Sequence, residues 1–163
     1  MKKFLADTYV AEAFAPNTDL RASSNSPRES DWVDLSDWDS ATAIIQAIAD
    51  ADAESVTVSW RQATSNTGAG NKALVDSDEQ WYVSEHATAL PGTFAEGATL
   101  TGNAKNVAVS EITADQLDVT NGYRFVAVRV SRAAANGKIA SGVIVLRGGR
   151  YQQALDHQPS ALA

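Results

Sequence analysis

The chain has 163 residues, of which 44% are hydrophobic and 20% charged, so it is long and apolar enough for one domain with a packed core. It contains no cysteine, which excludes disulfides, zinc–thiolate sites, iron–sulfur clusters and thiol nucleophiles. The net charge of −7 is distributed unevenly: residues 31–120 hold 15 acidic and three basic side chains, whereas residues 121–163 hold six basic and one acidic. This asymmetry can bring unlike surfaces of neighbouring copies together, or it can cancel locally over one folded surface.

The chain begins with "MKKFLADTYVAEAF", which has the basic start of a signal peptide. Its apolar run ends at Asp7, after three residues, and a signal peptide needs roughly 7–15. No later stretch approaches the roughly 18 apolar residues of a membrane span. We therefore expect a soluble, unprocessed protein without a membrane partner.

The segment 1–30 differs in composition from the rest of the chain. Its second half, "APNTDLRASSNSPRES", is rich in Ser, Asn and Pro, which predicts an extended arm or loop. Phe4, Tyr9 and Phe14 are spaced by five residues and could dock the arm on a neighbour. A first strand or helical turn that packs on its own domain is an equally good interpretation.

From residue 31 onward, short alternating segments separated by turn residues dominate the sequence. They predict an antiparallel β-sandwich, with a jelly roll as one arrangement of it, over residues 31–152, followed by a C-terminal tail at 153–163. Trp60 lies on the apolar face of one such strand and is predicted to be core. The stretch "TADQLDV" at 113–119 has helix-start residues and predicts a single helical turn between strands.

The stretch "DSATAIIQAIADADA" at 39–53 fits two kinds of secondary structure. Ile44, Ile45 and Ile48 have helical spacing, and alanine favours helix. The same residues also fit a strand that is buried on both faces, so periodicity alone leaves the choice open.

The strand "NGYRFVAVRVSRA" at 121–133 raises the question of what its arginines do. Val126, Val128 and Val130 alternate and should face the core, which places Arg129 on the opposite face with Tyr123 and Phe125. A charged side chain beside two aromatics on an interior strand is rarely free. We expect Arg129 to be at least partly buried and paired with a carboxylate.

The sequence offers no catalytic set, and we expect neither an enzyme nor a metal or cofactor site. The two histidines, His86 and His157, have no nucleophile motif to serve. The glycine-rich loop at 64–73 lacks the spacing of a phosphate loop, which predicts a surface loop instead. The acidic stretches do not continue into a calcium loop. The overall negative charge disfavours nucleic acid as a direct partner.

Three stretches of the chain resemble a group of small virion-associated proteins of tailed bacteriophages and prophages. They are 33–64, which starts with "VDL" and ends with "QAT"; 68–74, a Gly-rich loop with "KAL"; and 112–152, which contains "LDVTNGY", a Val/Arg strand and a final "RY". The resemblance covers about two thirds of the chain; segments 1–30 and 75–105 depart from it. Its motifs are structural rather than catalytic. The resemblance favours a strand within 39–53, and we predict a strand there.

The resemblance implies a capsid decoration (cement) protein that binds the outer surface of a phage head and bridges capsid subunits. Expected partners are the major capsid protein and further copies of this chain, in a trimer or another symmetric cluster. The expected location is the virion, assembled in the host cytoplasm. The candidate contacts are the aromatic residues of the arm and the basic residues of the C-terminal strands: Phe4, Tyr9, Phe14, Arg124, Arg129, Arg132, Arg147, Arg150 and Tyr151.

An alternative function is a carbohydrate- or receptor-binding sandwich on a tail or fibre. This alternative predicts an exposed platform of aromatic side chains, for example Trp81 and Tyr82.

Overall fold

The computed structural model describes residues 8–19, 27–49, 55–74, 80–85, 94–95, 98–101, 105–132 and 138–149. In chain order these residues form strands β1 (Thr8–Asp19), β2 (Arg28–Glu29), β3 (Val33–Asp34), β4 (Ser40–Ala49), β5 (Ser55–Ala63), β6 (Lys72–Ala73), β7 (Trp81–Glu85), β8 (Phe94–Ala95), β9 (Ala98–Thr101), β10 (Lys105–Thr113), β11 (Phe125–Arg132) and β12 (Lys138–Arg147). Within this part of the chain, no helix is long and apolar enough to span a bilayer.

The strands form two sheets that pack on each other, and every described pairing is antiparallel. The β4 sheet has the order β1-β12-β4-β10-β7-β8. The β5 sheet has the order β2-β11-β5-β6, with β3 also paired to β11 and β9 also paired to β5. The prediction of an all-β antiparallel sandwich is confirmed.

The stretch that fitted both helix and strand forms β4, an inner strand of its sheet. Hydrogen-bonded partners flank it on both sides, β12 on one and β10 on the other, over its whole length. Ala41, Ala43 and Ile45 point into the core, whereas Ile44 points outward. The strand prediction is confirmed, because pairing along both edges outweighs the helix propensity of the alanines. The expectation that this strand is buried on both faces is wrong, since Ile44 and Gln46 are exposed.

Part of the segment expected to be an arm belongs to the sheets. β1 pairs with β12 along its length, with irregularities after Glu12 and after Phe14, and β2 pairs with β11. Residues 8–19 and 28–29 therefore pack on their own domain, which is the second of the two interpretations of this segment. Residues 1–7 and 20–26 lie outside the described part of the chain.

The core between the sheets centres on two tryptophans. Trp60 of β5 and Trp81 of β7 stack with their ring centroids 6.0 Å apart, and both are fully buried. The Trp60 Nε1 donates to Ser110 Oγ at 2.9 Å, and Ser110 Oγ donates to the Gln80 carbonyl at 2.6 Å. This relay ties the two sheets together through satisfied polar groups. Val126, Val128 and Val130 are fully buried, as predicted.

Two 3-10 turns, Ala114–Gln116 and Val119–Asn121, connect β10 to β11. The first confirms the predicted helical turn, and the Thr113 amide donates to the Gln116 side chain at 2.7 Å. The second ends at Gly122, whose φ of 82° is the left-handed conformation that glycine adopts without strain. Asn121 and Gly122 thus form the turn that leads into β11.

Candidate functional site

The outer face of the β4 sheet is the candidate functional site. A row of side chains crosses five strands there, because Val143 of β12 pairs with both Glu12 and Ile44, Ile44 pairs with Val109, and Val109 pairs with Tyr82. Side chains alternate along a strand, so the neighbours of these residues point into the core. We define the outer face by Val10, Glu12, Ile44, Val109, Val143 and Val145.

This face is aliphatic and partly open to solvent. Val10 is 45% exposed and Ile44 is 40% exposed, whereas Val109, Val143 and Val145 are half-buried. Val10 pairs with Val145, which extends the aliphatic surface to the edge strand β1. Aliphatic side chains that are partly exposed side by side can be buried together against another molecule.

A groove of about 500 Å³ runs along the outer face where β1, β12 and β4 meet. Gly142 lies in it, and a Cβ at that position would come within 2.5 Å of the Ile44 carbonyl oxygen. The glycine therefore permits the close approach of β12 to β4 under the groove. The groove is lined by Val10, Glu12, Phe14, Ile44, Gln46, Ser141, Gly142 and Val143.

Polar groups surround the aliphatic centre of the face. Glu12 and Gln46 are exposed beside the groove, and Glu111 is exposed on β10. The Ser40 hydroxyl donates to Glu111 Oε1 at 3.0 Å, which fixes the position of that carboxylate. Aliphatic side chains inside a polar margin can bind a partner by burial. Among the described residues, no group of three or more His, Asp or Glu side chains is arranged to hold a metal ion.

The aromatic residues predicted as contacts of the arm pack on the protein itself. Phe14 is only 4% exposed and belongs to the core, which leaves it almost no surface to offer a neighbour. Tyr9 is half-buried, packs against the core, and has its ring centroid 6.3 Å from that of Trp38. Phe4 lies outside the described residues.

The arginines predicted as contacts occupy different surroundings. The Arg124 side chain is exposed, with Nε 3.2 Å from Asp34 Oδ2. Arg147 is exposed at the end of β12. Arg129 is half-buried, as expected, and lies opposite Glu29 in the strand register. The expected ion pair of Arg129 with a carboxylate is absent among the described residues. The Arg132 side chain, Arg150 and Tyr151 lie outside the described part of the chain.

The glycan-binding alternative predicts an exposed aromatic platform, and this prediction is wrong for Trp81. This side chain is fully buried and stacks on Trp60. Tyr82, the next residue along β7, is half-buried.

Sequence reasoning missed the outer face, although a signal for it exists. Once residues 40–46 are taken as a strand, Ala41, Ala43 and Ile45 share one face, and Ile44 necessarily lies on the other. An isoleucine that alternates with inward alanines indicates an exposed aliphatic position. Val10 gave no such signal, because its segment was expected to be an arm.

No protein-family model and no curated protein matches this chain. A solved structure to which it is similar is the crystal structure of the SPBc2 prophage-derived protein YomS. The sequence identity is 11%, the TM-score is 0.44, and the match covers 85% of this chain and 93% of that chain. The likeness is remote.

Proposed function

We propose that this protein is a structural component of a bacteriophage virion. In this proposal it is a decoration (cement) protein that binds the outer surface of the head through the outer face of the β4 sheet and bridges neighbouring subunits of the major capsid protein. The observation that carries the proposal is the exposed aliphatic face around Ile44 and Val10. The resemblance of segments 33–64, 68–74 and 112–152 to virion-associated proteins supports the phage assignment.

The proposed mechanism is thermodynamic linkage. A protein that binds only the assembled shell stabilises that state by its binding free energy, which is about 2.7 kcal/mol per site at a free concentration 100-fold above the dissociation constant. Repetition over many sites on one particle adds these contributions, and a symmetric cluster of copies would raise the effective concentration at each site. An aliphatic face suits this role because the burial of apolar surface is favourable without any specific chemical group on the partner.

The charge distribution supports attachment between subunits. Arg147 lies at one end of the outer face, Glu12 lies on the edge strand β1, and Glu111 lies on β10. A face with both signs at its margin can match a partner surface in one orientation better than in others, because like charges opposite one another are unfavourable.

Mass spectrometry of purified virions tests the assignment. Tails and heads are separated before digestion, and the copy number of this protein is compared with that of the major capsid protein. The proposal expects the protein in the head fraction, in a fixed ratio to the major capsid protein. Its absence from washed particles, or its presence in tails alone, would refute the proposal.

A further inference from the structure

A second concave surface lies at one end of the sandwich, away from the groove of the outer face. It is a pocket of about 550 Å³ between the turn that precedes β4, the start of the glycine-rich loop and the two 3-10 turns. Buried Leu35 and Leu117 are its apolar floor, and Val119, 61% exposed, is on its wall. The remaining lining residues are Ser36, Thr64, Ala114, Asp115, Gly122, Tyr123 and Arg124.

Hydrogen bonds to the body of the sandwich fix the walls of this end pocket. The Asp118 amide donates to Gln62 Oε1 at 2.9 Å, and Gln62 is fully buried in β5. Lys72 forms an ion pair with the Asp118 carboxylate. The Tyr123 hydroxyl donates to the Gly70 carbonyl at 3.0 Å, which joins the pocket rim to the glycine-rich loop. The pocket is therefore preformed, as binding sites usually are.

The charge at the rim of the end pocket is negative. A hydrogen bond from the Thr113 side chain, followed by one from its own backbone, lowers the pKa of Asp115, so this carboxylate is ionised at neutral pH. Among the described residues, the cations beside the pocket are Lys72 and Arg124, and both have partners, since Lys72 pairs with Asp118 and Arg124 with Asp34. No described cation forms an ion pair with Asp115.

We infer that the end pocket binds a short segment of another protein in which an aliphatic side chain stands next to a lysine or arginine. The aliphatic group would be buried against Leu35, Leu117 and Val119, and the cation would pair with Asp115. Both parts of the ligand follow from the lining, because an apolar floor favours an aliphatic group and a carboxylate that pairs with no described cation favours a positive one. The inference goes beyond the proposed function and does not depend on a phage head.

An anionic ligand fits this lining poorly. A phosphate or a nucleic-acid backbone at the rim would lie next to the Asp115 carboxylate, and two neighbouring negative charges repel each other. The guanidinium of Arg124 does not reverse this balance, because Asp34 already lies 3.2 Å from it.

The test is a titration of the full chain, labelled with ¹⁵N, with the peptides Ac-Leu-Arg-Leu-NH₂ and Ac-Leu-Glu-Leu-NH₂. With the arginine peptide we expect saturable shifts of the amides at 35–36, 64 and 114–124. The glutamate peptide should bind at least about fivefold more weakly, because it places a second negative charge beside Asp115. Absence of saturable shifts, equal binding of the two peptides, or shifts centred on Ile44 and Val143 would each overturn the inference.

Two variants separate the apolar and the ionic contribution. Val119→Ala removes two methyl groups from an exposed wall residue, and each contributes about 0.8 kcal/mol when fully buried. Because only the 61% of Val119 that is exposed can be newly buried by a peptide, the binding of both peptides should weaken about fivefold. Asp115→Asn should weaken only the arginine peptide, by about two- to fivefold, which is the range for an exposed ion pair. Asp31→Asn removes an exposed carboxylate between β2 and β3, outside both the end pocket and the outer face, and is the matched control that should change neither affinity. If Asp31→Asn weakens binding as much as Asp115→Asn does, the effect is one of net charge and the inference fails.

Discussion

Gln62 is the polar side chain whose removal tests the packing of this fold most sharply. It is fully buried in β5, yet it satisfies two backbone groups on other segments. Its Oε1 accepts from the Asp118 amide at 2.9 Å, and its Nε2 donates to the Ala73 carbonyl at 3.2 Å. The side chain thereby holds the second 3-10 turn and β6 against β5.

Gln62→Met keeps the length of the side chain and removes both hydrogen bonds. Asp118 is half-buried, and an amide that loses its acceptor where water has little access costs about 1–3 kcal/mol. The Ala73 carbonyl should contribute less, because Ala73 is exposed and water can replace the lost donor. We therefore expect the free energy of unfolding to fall by about 1–3 kcal/mol.

Urea unfolding followed by tryptophan fluorescence measures this loss, with an expected fall of about 1 M in the midpoint for a slope near 2 kcal/mol per molar urea. Amide hydrogen exchange adds a local measurement, because the Asp118 amide should exchange roughly tenfold faster for each 1.4 kcal/mol lost. Gln62→Glu at neutral pH is the companion variant and should destabilise more, since it places a carboxylate in the core. A loss below about 0.5 kcal/mol for Gln62→Met, with unchanged exchange at Asp118, would refute this account of Gln62.

Two further predictions concern backbone packing and pH. Gly142→Ala should lower the free energy of unfolding by about 1–3 kcal/mol, because the added Cβ would meet the Ile44 carbonyl at 2.5 Å. Thermal unfolding measures this loss. An unchanged midpoint would contradict the close packing of β12 on β4. The ion pair with Lys72, followed by the hydrogen bond from the Asn121 side chain, lowers the pKa of Asp118 below its usual 3.8. The stability that the ionised Asp118 carboxylate contributes is therefore complete above pH 3.8 and is lost as the pH falls through the lower pKa of the folded state. The urea midpoint of the wild type should therefore fall more steeply below about pH 4 than that of Asp118→Asn, and parallel curves would contradict the pairing.

The fold class followed from local patterns in the sequence. Alternation identified β5 and β11 and the inward face of Val126, Val128 and Val130, because burial of one face imposes a period of two. The helix-start residues at 113–116 identified the first 3-10 turn. These features are determined by residues that lie close together in the sequence, so local patterns predict them.

Features that depend on long-range pairing were not accessible in the same way. The segment around Tyr9 and Phe14 became a strand because β12 offers an edge about 130 residues later in the chain. Gln62 continues the inward face of Val58 and Trp60, but its two hydrogen-bond partners lie on segments that only the fold brings to it. The extension of the aliphatic outer face to Val10 and Val145 likewise depends on the pairing of β1 with β12.

Co-sedimentation of the purified protein with phage heads that lack it tests the central claim most directly. Ile44→Asp introduces a charge at the centre of the outer face, at a position that is 40% exposed, and Ala69→Asp adds the same charge on the exposed glycine-rich loop. Thermal unfolding confirms that both variants are folded before binding is compared. The account predicts that the wild type and Ala69→Asp sediment with the heads and that Ile44→Asp stays in the supernatant. Equal sedimentation of Ile44→Asp and the wild type, or failure of the wild type to sediment at all, would contradict it.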